Sequence, residues 1–132
     1  MGSAYFIVLE QDIDGLSAEM DGKRLASHAD ILDRVAAQMG GRPLSGFLGI
    51  NPKQAEYFLR SEGVGSMQEL SQLHQFSAED GLRSVRALSG YVRANPAEFA
   101  DAEGILEDLS DCERILRAAA SHGIGWHFEV DF

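Results

Sequence analysis

The sequence predicts an α+β domain: a small, mainly antiparallel sheet formed by the N- and C-terminal strands and covered by four or five helices. Three observations carry that expectation. Residues 4–9 are an unbroken apolar run, Ala-Tyr-Phe-Ile-Val-Leu, rich in β-branched and aromatic side chains. Residues 126–132 alternate apolar and polar without a break. Between these ends, apolar residues recur at three- and four-residue spacing, the pattern of helices that bury one face.

The first run is apolar on both alternating faces, which suits a strand buried on both sides and central in its sheet. Glu10, Gln11, Asp12, Asp14 and Gly15 end it with turn formers. Leu16 to Met20 alternates, and Asp21-Gly22 has the chemistry of a two-residue turn, so a hairpin over 16–25 is an option for enlarging the sheet. Ser27 is placed to cap a helix with the stripe Ile31, Leu32, Val35, Ala36 and Met39, stopped by Gly40-Gly41. In the loop that follows, Phe47 and Leu48 are expected to tuck inward. Asn51-Pro52 opens the next helix, with Asn as cap and Pro at its first position; Phe58 and Leu59 face the core and Gly63 ends it. Ser66 with Glu69 forms a capping box for a short helix.

Ser77 caps a further helix, whose Leu82, Val85, Leu88 and Val92 share one face and which Asn95-Pro96 breaks. Asp101 caps the last, with Ile105, Leu109, Cys112 and Leu116 in its stripe and Ser121-His122-Gly123 as its stop. In the closing strand, Trp126, Phe128, Val130 and Phe132 point one way. His127, Glu129 and Asp131 point the other, as the wet face of a half-buried strand.

The chain has 132 residues, 45% of them hydrophobic, and no repeat or linker divides it, so residues 1–132 are read as one domain with its own core. Lys and Arg number 11 against 21 Asp and Glu, a formal net charge of −10. Such a charge repels a polyanion and excludes a broadly phosphate-tracking nucleic-acid binder. One cysteine rules out an intramolecular disulfide. No charged signal-peptide start precedes the first apolar run, and that run is too short to span a bilayer, so a cytoplasmic protein without a membrane role is expected.

Several groups have the right chemistry for a site. Glu10, Asp12, Asp14 and Gly15 fit positions 1, 3, 5 and 6 of a calcium loop, with Asp21 at position 12. Against that, the first ligand is Glu, position 8 is Ser17, the last carboxylate is short, and a strand leads in. A solvated acidic turn fits as well. His127, Glu129 and Asp131, with His122 near in sequence, offer imidazole and carboxylate ligands, but the ordinary alternative is the polar face of a strand. Cys112 lies in a helix stripe, where a free thiol behaves as a small hydrophobe. Gly63-Val64-Gly65-Ser66 precedes a helix but lacks the lysine and spacing of a phosphate loop. The binding candidates are therefore Glu10, Asp12, Asp14, Trp126, His127, Glu129 and Asp131, and no cofactor or metal is implied.

The opening Met1-Gly2-Ser3-Ala4-Tyr5-Phe6-Ile7-Val8-Leu9-Glu10, the middle Asn51-Pro52, Phe58-Leu59 and Glu62-Gly63, and the closing Trp126-His127-Phe128-Glu129-Val130-Asp131-Phe132 resemble a family of small single-domain bacterial proteins. The resemblance implies a bacterial cytoplasmic origin. It carries no activity and no site residues.

The composition suits an interaction protein that binds a basic protein partner, as a decoy or an immunity-type neutraliser does. A second expectation is an enzyme with dispersed groups, metal-assisted, using His127, Glu129 or the 10–14 turn. A third is a small-molecule binder with a pocket between sheet and helices, lined by Trp126, Tyr5 and Tyr91.

Overall fold

The computed structural model describes residues 3–49 and 75–131. The helices expected at Asn51-Pro52 and Ser66, the 63–66 connection and His74 lie outside the described residues, as do residues 1–2 and 132. The described elements are β1 (Ala4–Leu9), α1 (Lys23–Ser27), α2 (Ala29–Gln38), a 3-10 turn (Leu44–Phe47), α3 (Ala78–Ala94), a second 3-10 turn (Pro96–Glu98), α4 (Ala102–Ser121) and β2 (Trp126–Asp131).

β1 and β2 pair antiparallel, with Ala4 opposite Asp131, Ile7 opposite Phe128 and Leu9 opposite Trp126. The two ends of the chain thus form the sheet, and helices cover it: the fold is α+β. Period-two alternation sends Tyr5, Ile7, Trp126 and Phe128 into the core. There Trp126 stacks on Phe47, with ring centroids 5.0 Å apart, and meets Phe128 edge-on at 4.8 Å. Its indole N–H donates to the Ser77 carbonyl at 3.0 Å, so the one polar atom of this buried ring is satisfied. α3 lies directly over it. A Cβ built on Gly81 would overlap the indole, so glycine at this helical position lets α3 approach the sheet.

α3 and α4 form the main helix pair. The residues read as their stripes (Leu82, Val85, Leu88, Val92, Ile105, Leu109, Cys112 and Leu116) are all buried. Their caps form as expected: Ser77 accepts from the Asp80 N–H at 3.1 Å and Asp101 from the Gly104 N–H at 3.0 Å. Buried residues from both described segments make one continuous core.

Three expectations need correction. The 16–25 hairpin does not form: residues 23–27 are helical, and 16–22 form no strand among the described residues, meeting β1 only where the Tyr5 N–H donates to the Gly22 carbonyl at 3.1 Å. The alternation read there as a strand is instead an irregular segment laid along α4. Ser27 is not a helix cap. It is the last residue of α1, and His28 stands between α1 and α2. β1 is also not the central strand. The far edge of β2 is bridged by residues 48 and 76: the Gly49 N–H donates to the Phe128 carbonyl at 2.8 Å, and Phe76 and Trp126 exchange both backbone bonds at 2.9 and 3.0 Å. β2 is therefore the inner strand among the described residues. Its polar face is only partly wet, since His127 is buried, Glu129 is half-buried and Asp131 is exposed.

Candidate functional site

The chain between β1 and α1 carries five carboxylates, Glu10, Asp12, Asp14, Glu19 and Asp21, all exposed. Apolar Ile13, Leu16, Ala18 and Met20 alternate with them and pack against the core. Burial of one side therefore presents the acids on the other. Met20 reaches the Cys112 sulfur of α4, Sδ to Sγ 3.9 Å.

Two arginines hold this strap in place. Arg114 of α4 donates to the Ser17 carbonyl at 2.7 Å and the Glu19 carbonyl at 3.3 Å, using its fork on backbone, with the Asp111 carboxylate 3.9 Å from Nη2. Arg24 of α1 lies 3.3 Å from Asp21 and 3.6 Å from Asp101, the cap of α4. Asp21 also accepts the Lys23 N–H at 3.1 Å. The strap is irregular but tied, and Asp101 continues its acidic surface onto α4.

The calcium-loop reading does not fit this geometry. Asp21, the residue at position 12, is engaged by Arg24 and the Lys23 N–H. Among the described residues no three His, Cys, Asp or Glu side chains gather as ligands for a metal ion.

The polar side of β2 is brought together differently from the sequence expectation. His127 Nε2 and Glu129 Oε2 are 2.9 Å apart, and Gln75 Nε2 lies 3.4 Å from His127 Nδ1. The consistent proton arrangement runs Gln75 to His127 to Glu129, with Nε2–H donated to the carboxylate. A Cβ on Gly49 would overlap the imidazole, so this residue is glycine where the chain passes over His127. Trp126 belongs to the core and Asp131 to the exposed end of the strand; neither joins the His127–Glu129 pair.

The other histidines, the cysteine and the tyrosines among the described residues are occupied or buried. His28 Nδ1 lies 2.9 Å from the Arg24 carbonyl, and His122 Nδ1 lies 2.9 Å from the Ala118 carbonyl. A carbonyl only accepts, so both nitrogens carry a proton, and neither can act as base toward the adjacent Ser27 or Ser121 hydroxyl. Burial pushes the Cys112 thiol far above its ordinary range, which leaves it inert. Tyr5 is buried, its hydroxyl also raised by burial, and Tyr91 donates to Glu98 at 2.7 Å.

Sequence reasoning missed Asp108 and the roles of Arg24 and Arg114. Asp108 is 2% exposed, yet it is an acid beside the apolar positions Ile105 and Leu109. That misplacement is the one sign the sequence offered. Comparison with protein-family models, curated proteins and solved structures finds no match to this chain. Among the described residues no helix is long and apolar enough to cross a membrane.

Proposed function

We propose that this protein is a non-catalytic interaction domain that docks a basic protein partner through the acidic strap 10–21 and the adjoining Asp101, in the manner of a decoy or neutraliser. The observation that carries the proposal is the fixed display of five exposed carboxylates on one segment, its backbone tied by Arg114 and its Asp21 side chain paired with Arg24. A tied strap loses less conformational entropy on docking than a loose one. Its field, reinforced by the net charge of −10, accelerates encounter with a cationic surface and weakens with salt.

Capture of partners at low and high salt tests this reading, with a variant carrying Glu10→Gln, Asp12→Asn, Asp14→Asn and Glu19→Gln run alongside. A basic protein held by the parent chain, released by salt and lost by the variant is the expected result. No retained partner, or equal retention by the variant, overturns it.

A further inference from the structure

A second surface has the opposite character. Between the end of α2 and the first half of α3 lies a cleft of about 450 Å³, within the range of small-ligand sites. Ala36, Met39, Phe47 and Ala87 supply an apolar wall. Met39 is 41% exposed there, the one large hydrophobic so exposed among the described residues. Among the described residues, the charged groups at the cleft are Arg42, Arg83 and Asp80. Arg83 and Asp80 pair with each other at 3.1 Å, which leaves Arg42 as the net charge.

Arg42 is held in position. Its guanidinium carbon lies 4.8 Å from the centroid of the Phe47 ring and 4.6 Å from that of Phe76. The two rings stand at 82° to each other, so the cation rests against both walls of an aromatic corner. An aromatic ring holds the cation by its charge and offers no lone pair to the N–H groups, so the guanidinium keeps donors for a carboxylate, whose geometry its fork matches. Ordering it costs little more when a ligand arrives. The repulsion of an anion by the acidic molecule as a whole is screened beyond about 8 Å at physiological ionic strength, so the nearby Arg42 decides.

We propose that this cleft binds a small amphipathic monoanion, an alkyl or aryl carboxylate, with the carboxylate on Arg42 and the apolar body along Met39, Ala36 and Ala87. One net positive charge beside a mostly apolar wall selects a monoanion. A phosphate monoester would bring a second negative charge next to Asp80, with no further cation among the described residues to meet it.

Titration with octanoate, octanol and octylamine, followed through the amide chemical shifts of Gly40 and Gly41, tests the assignment. Octanoate is expected to give saturable shifts, with octanol and octylamine at least about tenfold weaker, the discrimination one charge-assisted hydrogen-bonded contact supplies. Arg42→Met is expected to bring octanoate and octanol level. Ala87→Trp, at an exposed helical position, is expected to fill the cleft and abolish the shifts while the melting temperature stays within a few degrees. Absence of saturable shifts, equal binding of octanoate and octanol to the parent chain, or unchanged octanoate binding in a folded Ala87→Trp protein overturns the proposal.

Discussion

The carboxylate of Asp108 on α4 accepts the backbone N–H of Arg24 on α1 at 3.0 Å, and the same oxygen lies 3.3 Å from the N–H of Leu25. These are the second and third residues of α1, whose own cap position is Gly22 and offers no side chain. A residue more than eighty positions away thus does the work of an N-cap. It places negative charge at the start of the helix and satisfies donors that would otherwise be orphaned. Asp108→Ala is expected to lower stability by about 1–3 kcal/mol, the cost of leaving buried donors unpaired. Chemical denaturation checks this, and slowed exchange of the Arg24 and Leu25 amides should vanish with it.

The same residue sets one pH dependence and Glu113 the opposite one. Burial raises the pKa of Asp108 above its ordinary 3.8, against the lowering pull of its backbone bonds. A raised folded-state value means that the contribution of this group is fully present below the unfolded value and is lost as pH rises through the folded one. Glu113 is lowered below its ordinary 4.5, first by the 2.9 Å hydrogen bond from Arg86 of α3. Its contribution is present above the unfolded value and is lost as pH falls through the folded one. Asp108→Asn is therefore expected to remove a decline in stability on the alkaline side of pH 3.8. Glu113→Gln should remove a loss on the acid side of pH 4.5, at a cost near neutrality of about 0.2–1 kcal/mol. Denaturation midpoints of both variants from strongly acidic to neutral pH separate the two signs.

Gly81 and Trp126 explain an apparent weakness of α3. Glycine inside a helix ordinarily costs about 1 kcal/mol against alanine. Here the added methyl would meet the indole ring, so Gly81→Ala is expected to destabilise by about 1–3 kcal/mol instead of stabilising. Trp126 is the only tryptophan, and its emission maximum should shift as the ring is displaced.

These relationships show what was legible in the chain. The stripes of α3 and α4, their Ser77 and Asp101 caps, and the pairing of the two ends follow from local chemistry and periodicity. The hairpin reading failed because alternation at 16–20 reports only that one side is buried, and the burying partner is α4 rather than a strand. The ranking of β1 over β2 failed because apolarity on both faces says nothing about which edge finds another backbone; Gly49 and Phe76 decide that. At the candidate site Glu10, Asp12 and Asp14 are legible as an acidic turn; Glu19 and Asp21 join them only because residues 16–20 pack as a strap rather than a hairpin. Their fixation by Arg114 is not legible, because that bond goes to carbonyls, which every residue has.

Release of that fixation can be measured. Arg114→Gln shortens the reach and removes the charged fork from the Ser17 and Glu19 carbonyls. The strap is expected to exchange its amide hydrogens faster over 16–20 and to become a protease target, while global stability falls by no more than about 1 kcal/mol. Exchange measured by mass spectrometry distinguishes this from general loosening, since peptides from α3 should keep the parent rates.

The three described histidines differ in which nitrogen carries the proton, and this is a direct check on the polar side of the sheet. His28 and His122 each face a carbonyl through Nδ1 at 2.9 Å, which assigns the Nδ1–H form to both when neutral. His127 faces a carboxylate through Nε2 and an amide nitrogen through Nδ1, which assigns it the Nε2–H form. Nitrogen–proton correlation spectra at mildly alkaline pH are expected to show two rings of the first kind and one of the second among these residues. Glu129→Leu removes the acceptor that selects the His127 tautomer, so the signals of that ring alone should move toward a mixture. An unchanged His127 signal in that variant would mean that the contact with Glu129 does not set its protonation, and that Gln75 and the overlying Gly49 segment hold the ring on their own.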